Sequence, residues 1–135
     1  MTRRSSMAEI IVDMNKVIGD HVAEIALEIQ GELVDNPPAG TPVDTGWASV
    51  NWWLKQGSPP TGNGGPVGNV ASAEAQQRAS VAAMASYRIG QPVWISNNTP
   101  YIGRLNDGWS QQSPAGFVEA AISTVLDSNK RKKLN

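Results

Sequence analysis

Hydrophobic residues between positions 7 and 34 recur every three or four residues, which is the spacing of one face of an α-helix. Charged residues such as Glu9, Asp13 and Lys16 fill the opposite face. Two prolines follow at residues 37–38, and proline cannot continue the helical hydrogen-bond pattern. The pattern therefore predicts an amphipathic helix at residues 7–34, roughly 40 Å long from the helical rise per residue, with its apolar face in the core. The members of that face are Met7, Ile11, Met14, Ile18, Val22, Ile25, Ile29 and Leu33.

Two later segments alternate hydrophobic and polar residues with the period of two that a β-strand requires. Residues 45–56 place Trp52 and Leu54 on one side of the strand and Trp47 and Trp53 on its polar side. Residues 92–96 carry a second, shorter hydrophobic run. Together the two segments predict a small antiparallel sheet. Because tryptophan is favoured where subunits meet, Trp47 and Trp53 are candidate interface residues.

Two segments of biased composition lie between these strands. Residues 57–69 are rich in glycine, proline and small polar residues, so we expect a flexible arm with little to bury within its own domain. Residues 72–88 are rich in alanine and predict a helix, for which Ser72 is the expected N-terminal cap.

Two more helices are predicted by a cap residue followed by proline at the first helical position, at residues 99–100 and 113–114. Gly108 is expected to end the first of them. The second buries Phe117, Val118, Ala121, Ile122, Val125 and Leu126. The sequence thus predicts a single α+β domain at residues 1–135. It has a long N-terminal helix, a small antiparallel sheet, an Ala-rich middle helix and a C-terminal helix, with the helices packed on one side of the sheet.

The composition narrows the classes of function. Charged residues make up only 17% of the chain, so part of the surface is expected to meet partners. A net charge of −1 gives no general attraction to DNA or to anionic lipid. The absence of cysteine excludes disulfides, a cysteine nucleophile and thiolate zinc sites. We find no secretory signal and no membrane span, and expect a protein that stays in the cytoplasm until it is assembled.

Asp44, Thr45 and Gly46 form the triplet of aspartic proteases, in which two copies pair their carboxylates to activate water. The small viral enzymes are homodimers with a later Ile-Gly-Arg sequence, which occurs here at residues 102–104. That fold is almost wholly β, however, whereas a long helix precedes this triplet and Trp47 follows it. In the other interpretation Asp44 forms a turn ahead of a strand. A small homodimeric aspartic-type protease is the alternative function.

No other set of residues predicts catalysis, a metal site or a cofactor. His21 is the only histidine, and without cysteine it belongs to no convincing metal set. The glycines at residues 62–68 lack the spacing of a phosphate-binding loop. The basic cluster at residues 130–133 either stabilises the negative end of a helix dipole or contacts DNA phosphates, and the first reading is the simpler.

Three segments carry a resemblance to a known family. They are residues 41–46 (TPVDTG), 93–101 (VWISNNTPY) and 104–118 (RLNDGWSQQSPAGFV). Together they resemble the tail-completion and head–tail neck proteins of long-tailed bacteriophages, a group that includes the minor tail protein Z-like family. The order of the elements around them is also similar.

The resemblance implies a structural virion protein without catalytic residues, assembled in the host cytoplasm and located in the tail and neck. It implies a homo-oligomeric ring, a hexamer, that completes the tail. The ring would sit on the tail terminator protein and face the head connector protein, with a passing contact to DNA in the channel and none to a membrane. The best candidate for a contact surface is the segment 97–112, and its alternative is a buried corner of the domain. The candidate interface residues in this segment are Asn98, Tyr101, Trp109 and Gln112.

Overall fold

The computed structural model describes residues 6–35, 41, 46–63, 69–108 and 115–130. The first helix, α1, spans Met7–Val34, as the sequence predicts. It begins with a capping box, in which the Ser6 hydroxyl accepts a hydrogen bond from the Glu9 amide and the Glu9 carboxylate accepts one from the Ser6 amide. These bonds satisfy backbone donors that a helix start otherwise leaves unpaired.

The face of α1 that the domain buries is only partly the predicted one. Its buried residues are Gly19, Ala23, Ala26, Gln30 and Leu33, and every residue of the helix before Gly19 is exposed. Small side chains suit this face because the chain passes close to it. A Cβ added at Gly19 would lie 3.5 Å from the backbone nitrogen of Ile89. The periodicity located the helix correctly, but the expectation that Met7, Ile11, Met14 and Ile18 line the core was wrong.

Two strands form the sheet in the described residues. Strand β1 spans Trp53–Gln56 and strand β2 spans Val93–Ser96, and they pair antiparallel with Leu54 opposite Ile95. The antiparallel sheet is confirmed, and the second strand matches its prediction closely.

The first strand is shorter than predicted. Of the predicted segment, residues 46–51 form a turn and a short 3-10 helix at Ser49–Asn51. Two side chains stabilise it locally. The Ser49 hydroxyl donates to the Gly46 carbonyl at 2.9 Å, and the Asn51 amide donates to the Trp47 carbonyl at 2.9 Å. Such side-chain bonds to nearby backbone compete with a strand and favour a turn.

The Ala-rich helix, α2, spans Val70–Ala83 and continues as a 3-10 turn at Met84–Ser86. Its cap is Asn69, whose side chain accepts from the amide of Ser72 at 3.1 Å, so the expected cap at Ser72 was wrong. The buried Gln77 amide of α2 donates to the carbonyls of Ser49 and Trp52. These bonds tie the helix to the turn ahead of β1.

The last two helices are α3, at Ile102–Asn106, and α4, at Phe117–Asn129. Gly108 follows α3 with a positive φ of 90°, as predicted for its end. The predicted start of α4 at residues 113–114 lies outside the described residues. Phe117 packs near Leu33, and Asn129 donates to the Glu28 carboxylate at 2.7 Å. Helix α4 therefore runs antiparallel along the C-terminal half of α1. It buries Phe117, Ala121 and Val125 as predicted, but the expectation that Ile122 and Leu126 are buried was wrong, since they are 37% and 45% exposed.

The core consists of three clusters that meet at β1. Trp52 packs with Leu33 and Phe117, Trp53 with Trp47 and Ala73, and Leu54 with Ala23, Ala26 and Met84. Since neighbouring strand residues point to opposite faces, the sheet is covered on both faces at this end, and not on one side as predicted. The architecture is α+β, as the sequence indicates. In the part of the chain that the structure describes, no helix is long and apolar enough to cross a membrane.

Candidate assembly surface

Trp47 and Trp53 lie in the core and not on a surface. Their exposed fractions are 1% and 5%, and both pack against Ala73 of α2. The Trp47 ring also meets the Tyr101 ring at a centroid distance of 6.1 Å and an angle of 48°. Trp47 lies in the turn at residues 46–51 and not in a strand, contrary to the prediction. Trp53 does lie on the face of β1 opposite to Leu54, but that face is covered by α2 and is not exposed. Both rings are therefore buried within the domain itself, and their role as interface residues stays a prediction.

The polar side chains of the segment 97–101 form hydrogen bonds within the domain. The Asn97 amide donates to the Ala48 carbonyl at 2.8 Å, and its side-chain oxygen accepts from the amide and hydroxyl of Thr99. Thr99 is buried and Tyr101 is half-buried. Asn97, Thr99 and Tyr101 therefore lie in a largely buried corner of the domain, which was the alternative to a contact surface.

Asn98 is exposed, but its side chain is also engaged within the domain. Its amide donates to the carbonyl of Pro60 at 3.1 Å and to that of Gly62 at 2.9 Å. Pro60 itself is buried. The first part of the predicted arm therefore has contacts within its own domain, which its composition did not indicate, while residues 64–68 of the arm lie outside the described residues.

Replacing Asn98 with alanine is expected to lower the free energy of unfolding by about 1 kcal/mol, because it removes two hydrogen bonds of partly exposed groups. Hydrogen exchange of the amides at residues 57–63 should accelerate at the same time. Gln76→Ala, which removes an exposed amide of α2, is the matched control and should change neither quantity. Unchanged exchange at residues 57–63 in the Asn98 variant would show that the two bonds do not hold this segment.

Asn106 joins α3 to α4. Its side-chain oxygen accepts from the Val118 amide at 2.9 Å, its amide donates to the Glu119 carboxylate at 3.1 Å, and its carbonyl accepts from the Gly116 amide at 2.7 Å. It thereby caps the start of α4. The candidates Trp109 and Gln112 lie outside the described residues, so their role as interface residues stays a prediction.

Among the described residues, most of the exposed large hydrophobic side chains lie on the half of α1 that projects beyond the core. We call residues 7–18 the projecting half of α1. Two of its side chains, Met7 and Val12, are 71% and 65% exposed. The large hydrophobic residues exposed there are Met7, Ile10, Ile11, Val12, Met14, Val17 and Ile18. Monomeric proteins rarely expose a large contiguous apolar patch, and where one occurs it usually marks a contact site. The pattern showed these residues, but it could not show that the domain leaves them exposed.

Charges near this surface lie to one side of it. Lys16 pairs with Asp20 at 2.6 Å, and both side chains are largely exposed. Glu9 and Asp13 are exposed on the same side of the helix. At the C-terminal end of α4, Lys130 lies 3.4 Å from Asp127. Exposed ion pairs such as these two contribute little to stability. These charged residues therefore matter more for the polarity of the surface than for the stability of the fold.

The described residues contain no group of three or more His, Asp or Glu side chains placed to hold a metal ion. His21 is half-buried on α1. Of the protease-like triplet, Asp44 and Thr45 lie outside the described residues, and Gly46 begins the turn ahead of the 3-10 helix. The candidate surface for function is thus the apolar one on α1. Comparisons with protein families, with curated proteins and with solved structures find no match to this chain.

Proposed function

We propose that this chain is a structural subunit of a bacteriophage virion that forms a ring at the head-proximal end of the tail, completes the tail and joins it to the head connector. The sequence support is the resemblance of residues 41–46, 93–101 and 104–118 to tail-completion and neck proteins. In the structure, the segments 93–101 and 104–118 contain Asn97, Asn98 and Asn106, whose side chains form hydrogen bonds between different parts of the domain. A scaffold role accounts for such residues without any catalytic chemistry.

The single observation that carries the proposal is the projecting half of α1. A domain of this size gains stability by burying hydrophobic side chains, yet α1 keeps seven large ones exposed in its first twelve residues. An assembling subunit explains this arrangement, because a neighbour in the assembly supplies the missing burial.

The proposal includes the partners that the resemblance implies. They are further copies of the chain in a ring of six, the tail terminator protein on one side and the head connector protein on the other. The proposal also includes a passing contact with DNA in the channel, for which the basic cluster at residues 130–133 offers candidate residues. The place of action is the tail and neck of the virion.

The protease alternative has less support from the fold. Among the described residues, four helices accompany two strands of four residues each, whereas the small viral aspartic proteases are almost wholly β. Trp47, which follows the triplet, is buried against Ala73 and Tyr101. Trp47, the residue after the triplet, is therefore part of the core of a mainly helical domain.

Disabling the gene in a phage that carries it is expected to yield filled heads and separate tails that do not join. Electron microscopy of the lysate measures this, and the protein supplied from a plasmid should restore joined particles. Supplying the Asp44→Asn variant should restore joining equally well, since Asp44 has no catalytic role in the proposal. Normal infectious particles without the gene would contradict the proposal. Cleavage of peptides at acid pH by the purified protein, lost in Asp44→Asn, would favour the protease instead.

A further inference from the structure

We propose that two copies of this chain pack the projecting halves of their α1 helices against each other along one apolar stripe. The stripe consists of Met7, Ile10, Ile11, Met14, Val17 and Ile18, all of them exposed. The proposal deepens the proposed function by naming a surface that joins two copies, and it rests on that function only in the sense that an assembling subunit must associate. Because a stripe packed on the same stripe of a second copy closes at two copies, it joins copies in pairs and leaves the contacts around a ring to other surfaces.

The spacing of the stripe indicates that its partner is a helix. Residues 7, 10, 14 and 17 follow the alternating three-and-four spacing with which helices pack along each other at a shallow angle. Ile11 and Ile18 widen the stripe on one side. From 3.6 residues per turn, the stripe lies roughly a third of a turn away from the face that Gly19, Ala23 and Ala26 bury in the domain. A second helix can therefore lie on the stripe without disturbing the domain's own contacts.

The area of the stripe fits a contact between two copies. Its six side chains expose between 36% and 71% of their surface, which amounts to roughly 500 Å², near the upper end for the largest patch of a monomer. Two such stripes facing each other remove roughly 1,000 Å² from water, about the lower limit for a specific interface. The expected association is therefore real but weak for the free chain.

The same stripe on another copy is the best match in size. The remaining exposed large hydrophobics of the described residues come from separate parts of the chain and form no comparable strip. They are Val12, on another side of α1, and Ile89, Trp94, Ile122 and Leu126. The stripe itself contains no charged side chain, so stripe-to-stripe packing buries no unpaired charge.

The charges beside the stripe weigh against a membrane as its partner. Helices that lie on anionic membranes carry lysine and arginine on their polar face. Between residues 7 and 20 the chain has the carboxylates of Glu9, Asp13 and Asp20 against the single ammonium of Lys16. The polar face of the projecting half therefore lacks the row of basic side chains that attracts anionic lipid, whereas packing of stripe on stripe needs no such charge.

The first test measures the mass of the purified chain by sedimentation velocity over a hundredfold range of concentration. The wild-type chain is expected to shift from monomer toward dimer or larger species. The double variant I11E/I18E should remain monomeric over the whole range, because two carboxylates cannot be buried in the stripe. The matched control is A8E/N15E, which adds the same charge at exposed positions of the same helix half outside the stripe. It should associate as the wild type does, and circular dichroism should show equal helix content in all three.

The second test uses the absence of cysteine from the chain. A bifunctional maleimide should link Met14→Cys into covalent dimers within minutes at concentrations where association occurs. Ala8→Cys, outside the stripe, should be linked at least several-fold more slowly. Equal rates for the two variants would overturn the proposal, as would a wild-type chain that stays monomeric at every concentration. Co-sedimentation with vesicles of anionic lipid, in a chain that does not self-associate, would assign the stripe to membranes and overturn it as well.

These outcomes are distinguishable from a failure of the proposed function. Self-association is measured on the purified chain and needs no virion, whereas head–tail joining is measured on particles. A monomeric chain whose gene is required for joining would sink the stripe contact alone. A chain that associates through the stripe but whose gene is dispensable for joining would sink the proposed function alone.

Discussion

Replacing Phe117 with alanine is expected to lower the free energy of unfolding by about 3–5 kcal/mol, the usual cost of removing a fully buried aromatic ring. Phe117 has no exposed surface and packs with Leu33 of α1, Trp52 ahead of β1 and Ala121 of its own helix. The cavity would thus open where α1, α4 and the sheet meet. Chemical denaturation monitored by tryptophan fluorescence measures the effect, since Trp52 lies in the same cluster.

Ile122→Ala is the matched control for this variant. Ile122 lies in the same helix and is 37% exposed, so its loss should cost clearly less, by several-fold, than that of Phe117. The comparison separates packing against α1 from the helical propensity of α4, because both variants introduce alanine. Equal destabilisation by the two substitutions would mean that α4 does not dock through Phe117.

Replacing Thr41 with valine is expected to lower the free energy of unfolding by about 1–3 kcal/mol, the cost of leaving a buried donor unsatisfied. The Trp52 indole nitrogen donates to the Thr41 hydroxyl at 2.6 Å, and that hydroxyl donates to the Leu33 carbonyl. Thr41 is fully buried, so water cannot replace the lost acceptor. Valine keeps the shape of threonine, which confines the change to the hydrogen bonds.

Thr41→Ser tests the same contact from the other side, because serine keeps the hydroxyl and loses only the methyl group. The indole proton of Trp52, followed by NMR, should exchange faster with solvent in the valine variant than in the serine variant. If the two variants protect this proton equally, the hydroxyl does not hold the indole ring and the assigned bond chain is wrong.

The sequence alone was enough for the elements that depend on local pattern. The bounds of α1, the position of β2 and the α+β class follow from hydrophobic period and from prolines and glycines at the ends of elements. The short helix ahead of Gly108 also matches its prediction, although it begins at Ile102 and not at Pro100. Such features are set by neighbouring residues, which a sequence displays directly.

Other features depend on contacts between distant residues, and these were missed. The alternating pattern predicts a strand at residues 46–51. The structure has a turn there, which is stabilised by hydrogen bonds of Ser49 and Asn51 to nearby carbonyls. The contacts of residues 60 and 62 within the domain come from Asn98, which is 36 residues away from Gly62. Both Asn69 and Ser72 are good cap residues, and only the geometry chooses between them.

The main error concerned α1, and it has a physical explanation. An apolar face shows that a helix meets something, but not whether that surface belongs to its own domain or to another molecule. Small residues such as Gly19, Ala23 and Ala26 contribute little to a hydrophobic pattern, yet they form the face that packs closely inside the domain. The large apolar residues are left for contacts outside it. A face of small residues beside a face of large ones is the signal that points to this division.

The capping box at Ser6 and Glu9 has a consequence for how fast two copies can meet. Short helices are marginal in water because starting a helix is costly, whereas extending one is not. The projecting half extends a helix whose other end is anchored in the core, and its free end is closed by the box. The projecting half is therefore already helical when two copies meet, and their association does not have to wait for the helix to fold. Association should then proceed at the roughly 10⁵–10⁷ M⁻¹ s⁻¹ typical of preformed surfaces, with the weakness of the contact expressed in its short lifetime.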